Sequence, residues 1–215
     1  QRAVPVQVAG CGALALSPED LLLHLCYHTS FHHYFAFGLR PSCDIAAVIE
    51  HFGTQLDWQV MTERAAGLGW QRGVYLALRL ARELVGAKVP DAVLECLQPG
   101  AGEAAIVELA RRQLFSDKLI ASEVSAAFAE LATTRRLFEK IRIFWQRIFV
   151  SKEYLAAQYA LPVDSPYLYL WYPRRFSSLL RRHGARFWQM KGGDAQLGGI
   201  VTRKRDIVGW VEEKL

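Results

Sequence analysis

The sequence predicts an all-α or nearly all-α multi-helix bundle with at most a short N-terminal strand. Apolar residues recur at the three- and four-residue spacing of amphipathic helices along most of the chain. Start signals such as Ser17-Pro18 and stop signals such as Gly86 separate these segments. With 52% hydrophobic and 22% charged residues, the composition is that of a globular protein with a core, and it argues against disorder.

The first element is predicted to be a short edge strand. Valines alternate with other residues over positions 4–8, and Pro5 among them is tolerated at a sheet edge. A glycine-containing loop is expected to follow. Because an isolated strand leaves its backbone unpaired, we expect a partner strand, and we place it upstream of Gln1.

The remaining chain is expected to be helical between breaks at glycine and proline. The first helix should run from Ser17 to about Phe37, where Gly38 ends it. Pro173 should kink or break a later helix near Tyr172. The further helices are expected at about 42–52, 54–67, 70–85, 91–97, 103–115, 122–149, 152–159, 165–182 and 202–214. The segment Gly184–Gly199 is expected to be a loop or a short hairpin.

Charge divides the chain unevenly. Residues 1–134 carry 10 Lys/Arg against 14 Asp/Glu, whereas residues 135–215 carry 16 against 7. We therefore expect an N-terminal helical region at 1–118 and a basic C-terminal helical region at 119–215, or one continuous domain. A basic surface can attract phosphate groups or acidic partners, and it can equally be a solvated helix face.

Membrane insertion and disulfide bonding are not indicated. No apolar run approaches the ~18 residues that a spanning helix needs, so a soluble, cytoplasmic protein is expected. The four cysteines form no CxxC pair, and we expect them to be buried, reduced thiols. They are Cys11, Cys26, Cys43 and Cys96.

A histidine stripe is the clearest chemical feature. His24, His28 and His32 recur every four residues and so lie near one helix face, and Asp44 begins the next helix. This set could ligate a divalent metal. The competing interpretation is a hydrogen-bonded histidine pair within a helix interface. His33 and His51 are expected on the surface.

The C-terminal region combines paired arginines with aromatic residues. Arg174, Arg175, Arg181 and Arg182 could bind phosphate, and neighbouring aromatic rings could stack on bases. The alternative is that the rings are core and the arginines are the outer helix face. The aromatic residues concerned are Phe138, Trp145, Tyr167, Tyr169, Trp171, Tyr172 and Phe176.

Several catalytic signatures do not occur in the sequence. It contains no GxxxxGK[ST], GxGxxG, GxSxG or HExxH. It also has no Gly-Ser dipeptide followed by an Asp-x-Asp pair, which a two-metal nucleotidyl-transfer site would use to hold Mg²⁺. No complete catalytic motif is therefore present in these 215 residues.

Three stretches carry a resemblance to a known family. They are residues 16–28 continuing to 32 and 43–46; residues 56–58 followed by the helix that ends at 81–86; and residues 148–155 followed by 159–162 and 172–176. In order and spacing they resemble the C-terminal helical part of the bacterial uncharacterised nucleotidyltransferase family. The resemblance extends over about 4–183. Phe31 departs from the family pattern, which has a lysine before the second histidine.

This resemblance implies a transferase that uses Mg²⁺ and a nucleoside triphosphate. In the family, a core with the Gly-Ser and paired-Asp metal site precedes the helical part, so a nucleotidyltransferase-like core is the implied partner. His28, His32 and Asp44 are the positions that match the family pattern. We expect them to face the cleft beside that core, with Arg174 and Arg175 contacting phosphate or the core.

The resulting hypothesis is a helical accessory, substrate-side domain of a nucleotidyltransferase-family protein. One alternative is a metal-dependent hydrolase using His24, His28, His32 and Asp44. Another is a non-catalytic module that binds nucleic acid or an acidic protein, although nucleic acid is not the favoured partner. An apolar face left for the core could also drive homo-oligomer formation.

Overall fold

The computed structural model describes residues 2–100, 103–116, 145, 149–159, 162, 164–174, 176–177 and 195–213. The chain divides into two compact units. The first consists of Gln1–Glu123 and Asp206–Leu215, and the second of Val124–Arg205. In the described residues the chain is mostly helical, with one two-stranded antiparallel sheet, so the predicted fold class is confirmed.

The N-terminal strand pairs with the segment that directly follows it. Strand β1, Val4–Val8, forms an antiparallel hairpin with β2, Cys11–Ala15, and Val8 lies opposite Cys11. Our placement of the partner upstream of Gln1 was therefore wrong. The turn uses Gly10 at φ +81°, a conformation that glycine adopts without steric cost, and this lets the chain reverse within two residues.

Several helices of the first unit begin or end at the capping residues that the sequence predicts. Ser17 accepts a hydrogen bond from the Asp20 backbone N–H, and Asp57 accepts one from that of Val60. Gly86 ends its helix in the left-handed conformation. The helices are α1 (Pro18–Tyr27), α2 (Arg40–Phe52), α3 (Trp58–Gly67), α4 (Gln71–Val85), α5 (Asp91–Leu97) and α6 (Glu103–Leu114), with a short 3-10 helix at Gly53–Gln55.

Helix α4 is the central element of this unit. It contacts α1, α2, α3, α5 and α6. Its residues Val74–Leu78 are all buried, because neighbouring helices cover α4 on several sides. An ion pair between Asp20 and Arg64, at 2.6 Å, links the start of α1 to α3.

The first helix is shorter than predicted. It ends at Tyr27 and passes into a π-helical turn, His28–His32, which we call the π-turn. Non-helical residues then lead through Gly38 to α2. The expected helix to Phe37 is therefore wrong beyond the π-turn, because tertiary contacts described below hold this segment in another conformation.

The described part of the second unit contains a small apolar core. Helix α7, Lys152–Tyr159, has the predicted bounds, and Pro166–Leu170 forms a 3-10 helix. Leu155, Ala156 and Leu168 are buried together. The long helix predicted at 122–149 lies outside the described residues except for positions 145 and 149.

The last helix begins earlier than predicted. Helix α8 runs from Ala195 to Glu212, so the expected loop at 184–199 is wrong for its last five residues. Gly198 and Gly199 are each unfavourable in a helix by about 1 kcal/mol. Burial of the adjacent Ile200 and Val201 outweighs this cost.

The cysteines correct one expectation. All four are free, but only Cys26 is buried, whereas Cys11, Cys43 and Cys96 are exposed. Cys26 lies on the inward face of α1, where burial raises the pKa of its thiol. Within the part of the chain that the structure describes, no helix has the length and apolarity to cross a membrane.

Candidate functional site

The π-turn shapes the candidate site. The His33 backbone N–H donates to the His28 carbonyl at 2.9 Å, which closes a turn over five residues instead of four. The hydroxyls of Thr29 and Ser30 donate to the carbonyls of Leu25 and Cys26 at 2.7 and 2.6 Å. Such bonds from buried hydroxyls compete with the regular helix ladder and favour its widening here.

A close approach by α4 holds the π-turn in place. Gly73 lies so near it that a Cβ atom there would be 2.3 Å from Cε2 of Phe31 and 2.6 Å from Oγ of Ser30. Phe31 also stacks on Tyr27 with ring centroids 5.2 Å apart. The absence of a side chain at Gly73 is thus what allows the two elements to pack at this distance.

The residues after the π-turn adopt an unusual backbone conformation. Tyr34 and Phe35 have φ of +46° and +59°, and both are buried. Left-handed backbone costs a non-glycine residue roughly 1–2 kcal/mol. The Tyr34 hydroxyl donates to Glu212 at 2.8 Å, so α8 helps to hold this conformation. Strain of this kind is found most often at functional sites.

Four histidine rings lie side by side at this position. Nδ1 of His28 and Nε2 of His33 are 3.2 Å apart. The centroid of the His28 ring is 4.8 Å from those of His24 and His32 and 5.1 Å from that of His33. His28 is therefore the centre of the group, which we call the histidine cluster.

The histidine cluster borders a groove between α1, the π-turn and α2. The groove has a volume of about 290 Å³. His24, His28 and His33 line it from one side, and Asp44 and Arg40 line it from α2. The Arg40 guanidinium and the Asp44 carboxylate lie 4.0 Å apart and are both exposed, so each remains accessible to a ligand.

The surroundings of His28 favour its neutral form over its charged form. Partial burial, together with the neighbouring His24 and His32, lowers the pKa of His28 below its usual value. A neutral imidazole has one nitrogen that can accept a proton or ligate a metal. The groove therefore combines a proton acceptor, a carboxylate and a guanidinium.

The structure brings the predicted histidine stripe together with Asp44, and it corrects the expectation for His33. His24, His28 and Asp44 line the groove, and His32 contacts His28. The expectation that His33 is a surface residue was wrong, because it is half-buried and lines the groove. His51, by contrast, is exposed as expected. The adjacent pair His32-His33 was the available sequence signal, but its meaning depends on the π-turn.

The arginine and aromatic residues of the second unit form a separate feature. The Arg174 guanidinium lies 4.9 Å from the centroid of Trp171, and Lys152 lies 5.2 Å from that of Tyr169. Tyr167 and Tyr169 are 67% and 57% exposed, so the interpretation of these rings as core was wrong. Arg175, Arg181, Arg182 and Phe138 lie outside the described residues.

Comparison with known proteins gives a match to one family model over part of the chain. Residues 1–86 match the family model described as uncharacterised nucleotidyltransferase. The matched segment contains the hairpin, α1, the π-turn, α2, α3 and α4, and therefore the whole groove. The resemblance to this family is thus confirmed over these residues. No curated protein and no solved structure matches the chain significantly.

Proposed function

We propose that this chain, whose first 86 residues match the nucleotidyltransferase family, serves as the helical, substrate-side part of a nucleotidyltransferase. In this proposal the groove bordered by the histidine cluster faces the reacting centre and binds the acceptor or the nucleotide. The observation that carries the proposal is the groove itself. Residues from three elements converge on it, and all of them fall within the matched segment.

The groups in the groove suit nucleotidyl transfer. An acceptor hydroxyl must lose its proton as it attacks the α-phosphorus and displaces pyrophosphate, and a neutral His28 can accept that proton through hydrogen-bond contact. Arg40 can bind a phosphate oxygen, since its guanidinium is 87% exposed. The Mg²⁺ ions would be held by the Gly-Ser and paired-Asp motif of a core, which is not among these 215 residues, whereas the groove would contact the nucleotide through Arg40.

The hairpin supports the presence of a partner core. Val8 and Leu14 are 61% and 64% exposed, and most of the other hairpin residues are exposed as well. A two-stranded hairpin is marginally stable in water without further packing. The hairpin lies in the matched segment, so a nucleotidyltransferase-like core is the partner that we propose for it.

The proposal can be tested by thermal unfolding of the chain with Mg²⁺ and each of the four ribonucleoside triphosphates. Binding at about 100 times Kd stabilises a protein by about 2.7 kcal/mol, which raises the Tm of a domain of this size by roughly 5–10 °C. We expect a rise for one nucleotide above the others. An absence of any shift would contradict nucleotide binding at the groove.

Variants of the groove locate the effect. Arg40→Ala and Asp44→Asn should abolish the nucleotide-dependent rise without changing the Tm of the free protein, because both side chains are exposed. His51→Ala, on the same helix but outside the groove, is the matched control. A shift that persists in both groove variants would place the nucleotide elsewhere. In an active complex with a core, His28→Ala should lower kcat, and unchanged activity would contradict a role in proton transfer.

A second function is favoured by the exposed rings of the second unit. Tyr167 and Tyr169, with Lys152 and Arg174 close to aromatic faces, provide stacking surfaces beside positive charge. We propose that they bind single-stranded nucleic acid. Binding to a generic oligonucleotide should weaken steeply with salt and with Tyr169→Ala. Equal binding by Tyr169→Ala and wild type would contradict this.

A further inference from the structure

We propose that His28, His32 and His33 form a binding site for a divalent transition metal of the zinc type. This proposal concerns a metal held by imidazoles and not Mg²⁺ held with a triphosphate. A His28 that ligates the metal has no lone pair left to accept a proton, so in the metal-bound chain another group would take the proton of the acceptor hydroxyl. It also differs from the His24, His28, His32 and Asp44 set that the sequence spacing suggests. His33 replaces His24 and Asp44 as a direct ligand.

The distances fit a tetrahedral ion. One donor nitrogen from each of the three histidines lies within 4.8 Å of the others. Zinc–nitrogen bonds of 2.0–2.1 Å place two ligands of a tetrahedron about 3.3 Å apart. The 3.2 Å between Nδ1 of His28 and Nε2 of His33 already matches that separation. His32 is exposed, so a side-chain rotation can bring its nitrogen closer.

The π-turn is what makes this set possible. In a regular α-helix, residues five apart are separated by roughly 140° around the axis, so His33 would point away from His28. The wider turn, closed by the bond from the His33 N–H to the His28 carbonyl, brings them to the same side. Insertions of this type occur frequently at functional sites.

The donor chemistry selects the class of metal. Imidazole nitrogens suit Zn²⁺, Co²⁺, Ni²⁺ and Cu²⁺, whereas Mg²⁺ and Ca²⁺ prefer oxygen ligands. Three histidines leave one tetrahedral position for water or a substrate oxygen. Two of these histidines border the groove that also contains Asp44 and His24. Asp44 and His24 are therefore available to hydrogen-bond to the metal ligands or to the bound water, as supporting groups of metal sites do.

The competing explanation is a plain hydrogen bond between two neutral imidazoles. That arrangement accounts for the 3.2 Å contact between His28 and His33, but it gives no role to His32, whose donor nitrogen belongs to the same compact set. Metal binding and a simple pair make different predictions for His32. Loss of His32 weakens binding of a metal, whereas it leaves a His28–His33 hydrogen bond intact.

The test is calorimetric titration of the tag-free, metal-stripped full chain with Zn²⁺, and Co²⁺ titration followed by visible absorption. We expect one ion per chain and the intense bands of tetrahedral Co²⁺. Removing a supporting residue of a metal site costs 10- to 100-fold in affinity, so loss of a ligand in His32→Ala or His33→Ala should cost at least about 100-fold. His51→Ala, an exposed histidine outside the cluster, should bind as wild type does.

Three results would overturn the proposal. The first is that the wild-type chain binds no stoichiometric metal ion. The second is that His33→Ala binds the metal with wild-type affinity. The third is that Asp44→Asn loses the metal while His33→Ala retains it. Circular dichroism identifies any variant that fails to fold. If His33→Ala does not fold, the metal titration is repeated with the polar variant His33→Asn. Because these titrations contain no nucleotide, their failure leaves the nucleotide-dependent thermal shift unaffected.

Discussion

Substitution of Gly73 by alanine tests whether the close packing of α4 on the π-turn stabilises the protein. In most helices, glycine-to-alanine substitution is stabilising by about 1 kcal/mol. Here the new Cβ would lie 2.3 Å from Phe31 and 2.6 Å from Ser30, so the π-turn must move. Overpacking of this kind costs about 1–3 kcal/mol. The Ser30 hydroxyl, bonded to the Cys26 carbonyl at 2.6 Å, cannot yield without losing that bond.

We therefore expect a net loss of up to about 2 kcal/mol for Gly73→Ala, obtained by subtracting the propensity gain from the steric cost. At its upper end this corresponds to a Tm lower by roughly 4–8 °C. Urea unfolding gives the free energy, and calorimetry gives the Tm. Since the π-turn contains His28 and leads directly into His33, the same variant should also weaken any metal bound there.

Gly209 provides the matched control. It lies in α8, within the first unit, and a Cβ added there would meet no atom within 4 Å. Gly209→Ala should thus stabilise the protein by about 1 kcal/mol through helix propensity alone. Opposite signs for the two alanine variants are the expected result. If Gly73→Ala is as stable as Gly209→Ala, the close approach does not constrain the π-turn, and the reasoning is refuted.

Four further substitutions test other parts of the fold. Arg64→Ala should lower the free energy of unfolding in urea by about 1–2 kcal/mol, because its partner Asp20 is only 15% exposed. Arg2→Ala, which removes the other ion pair of Asp20, should cost less because the Arg2 side chain is 62% exposed. Equal losses in the two variants would contradict this. Gly86→Ala should destabilise by about 1 kcal/mol because φ there is +72°, and an unchanged Tm would speak against that. Burial lowers the pKa of Lys204 from 10.5 to about 8. Between these pH values the folded state therefore binds fewer protons than the unfolded state. The free energy of unfolding of the wild-type protein should consequently rise from pH 8 to pH 10.5. Lys204→Met removes this titration, so the rise in stability between pH 8 and pH 10.5 should be lost in the variant, and a rise that persists would exclude Lys204 as its cause.

Local signals determined much of the helical structure. Ser17, Asp57 and Gly86 bound helices as predicted because their effects act through a backbone group a few residues away. The bounds of α5 and α7 likewise followed from local pattern. The resemblance to a nucleotidyltransferase family also came from the sequence, because ordered short stretches retain it without a complete motif.

Non-local contacts decided the geometry of the candidate site. The sequence pattern of residues 17–37 is that of one continuous helix. Two distant contacts override it. Gly73, more than 40 residues later, packs against the π-turn, and the hydrogen bond from Tyr34 to Glu212 holds the left-handed residues that follow. No periodicity within α1 contains these contacts. The chain by itself therefore determined that His24, His28 and His32 lie near one face. Only the tertiary structure decided that His33 joins them, since its direction depends on one extra residue in the turn, which packing stabilises and local propensity opposes.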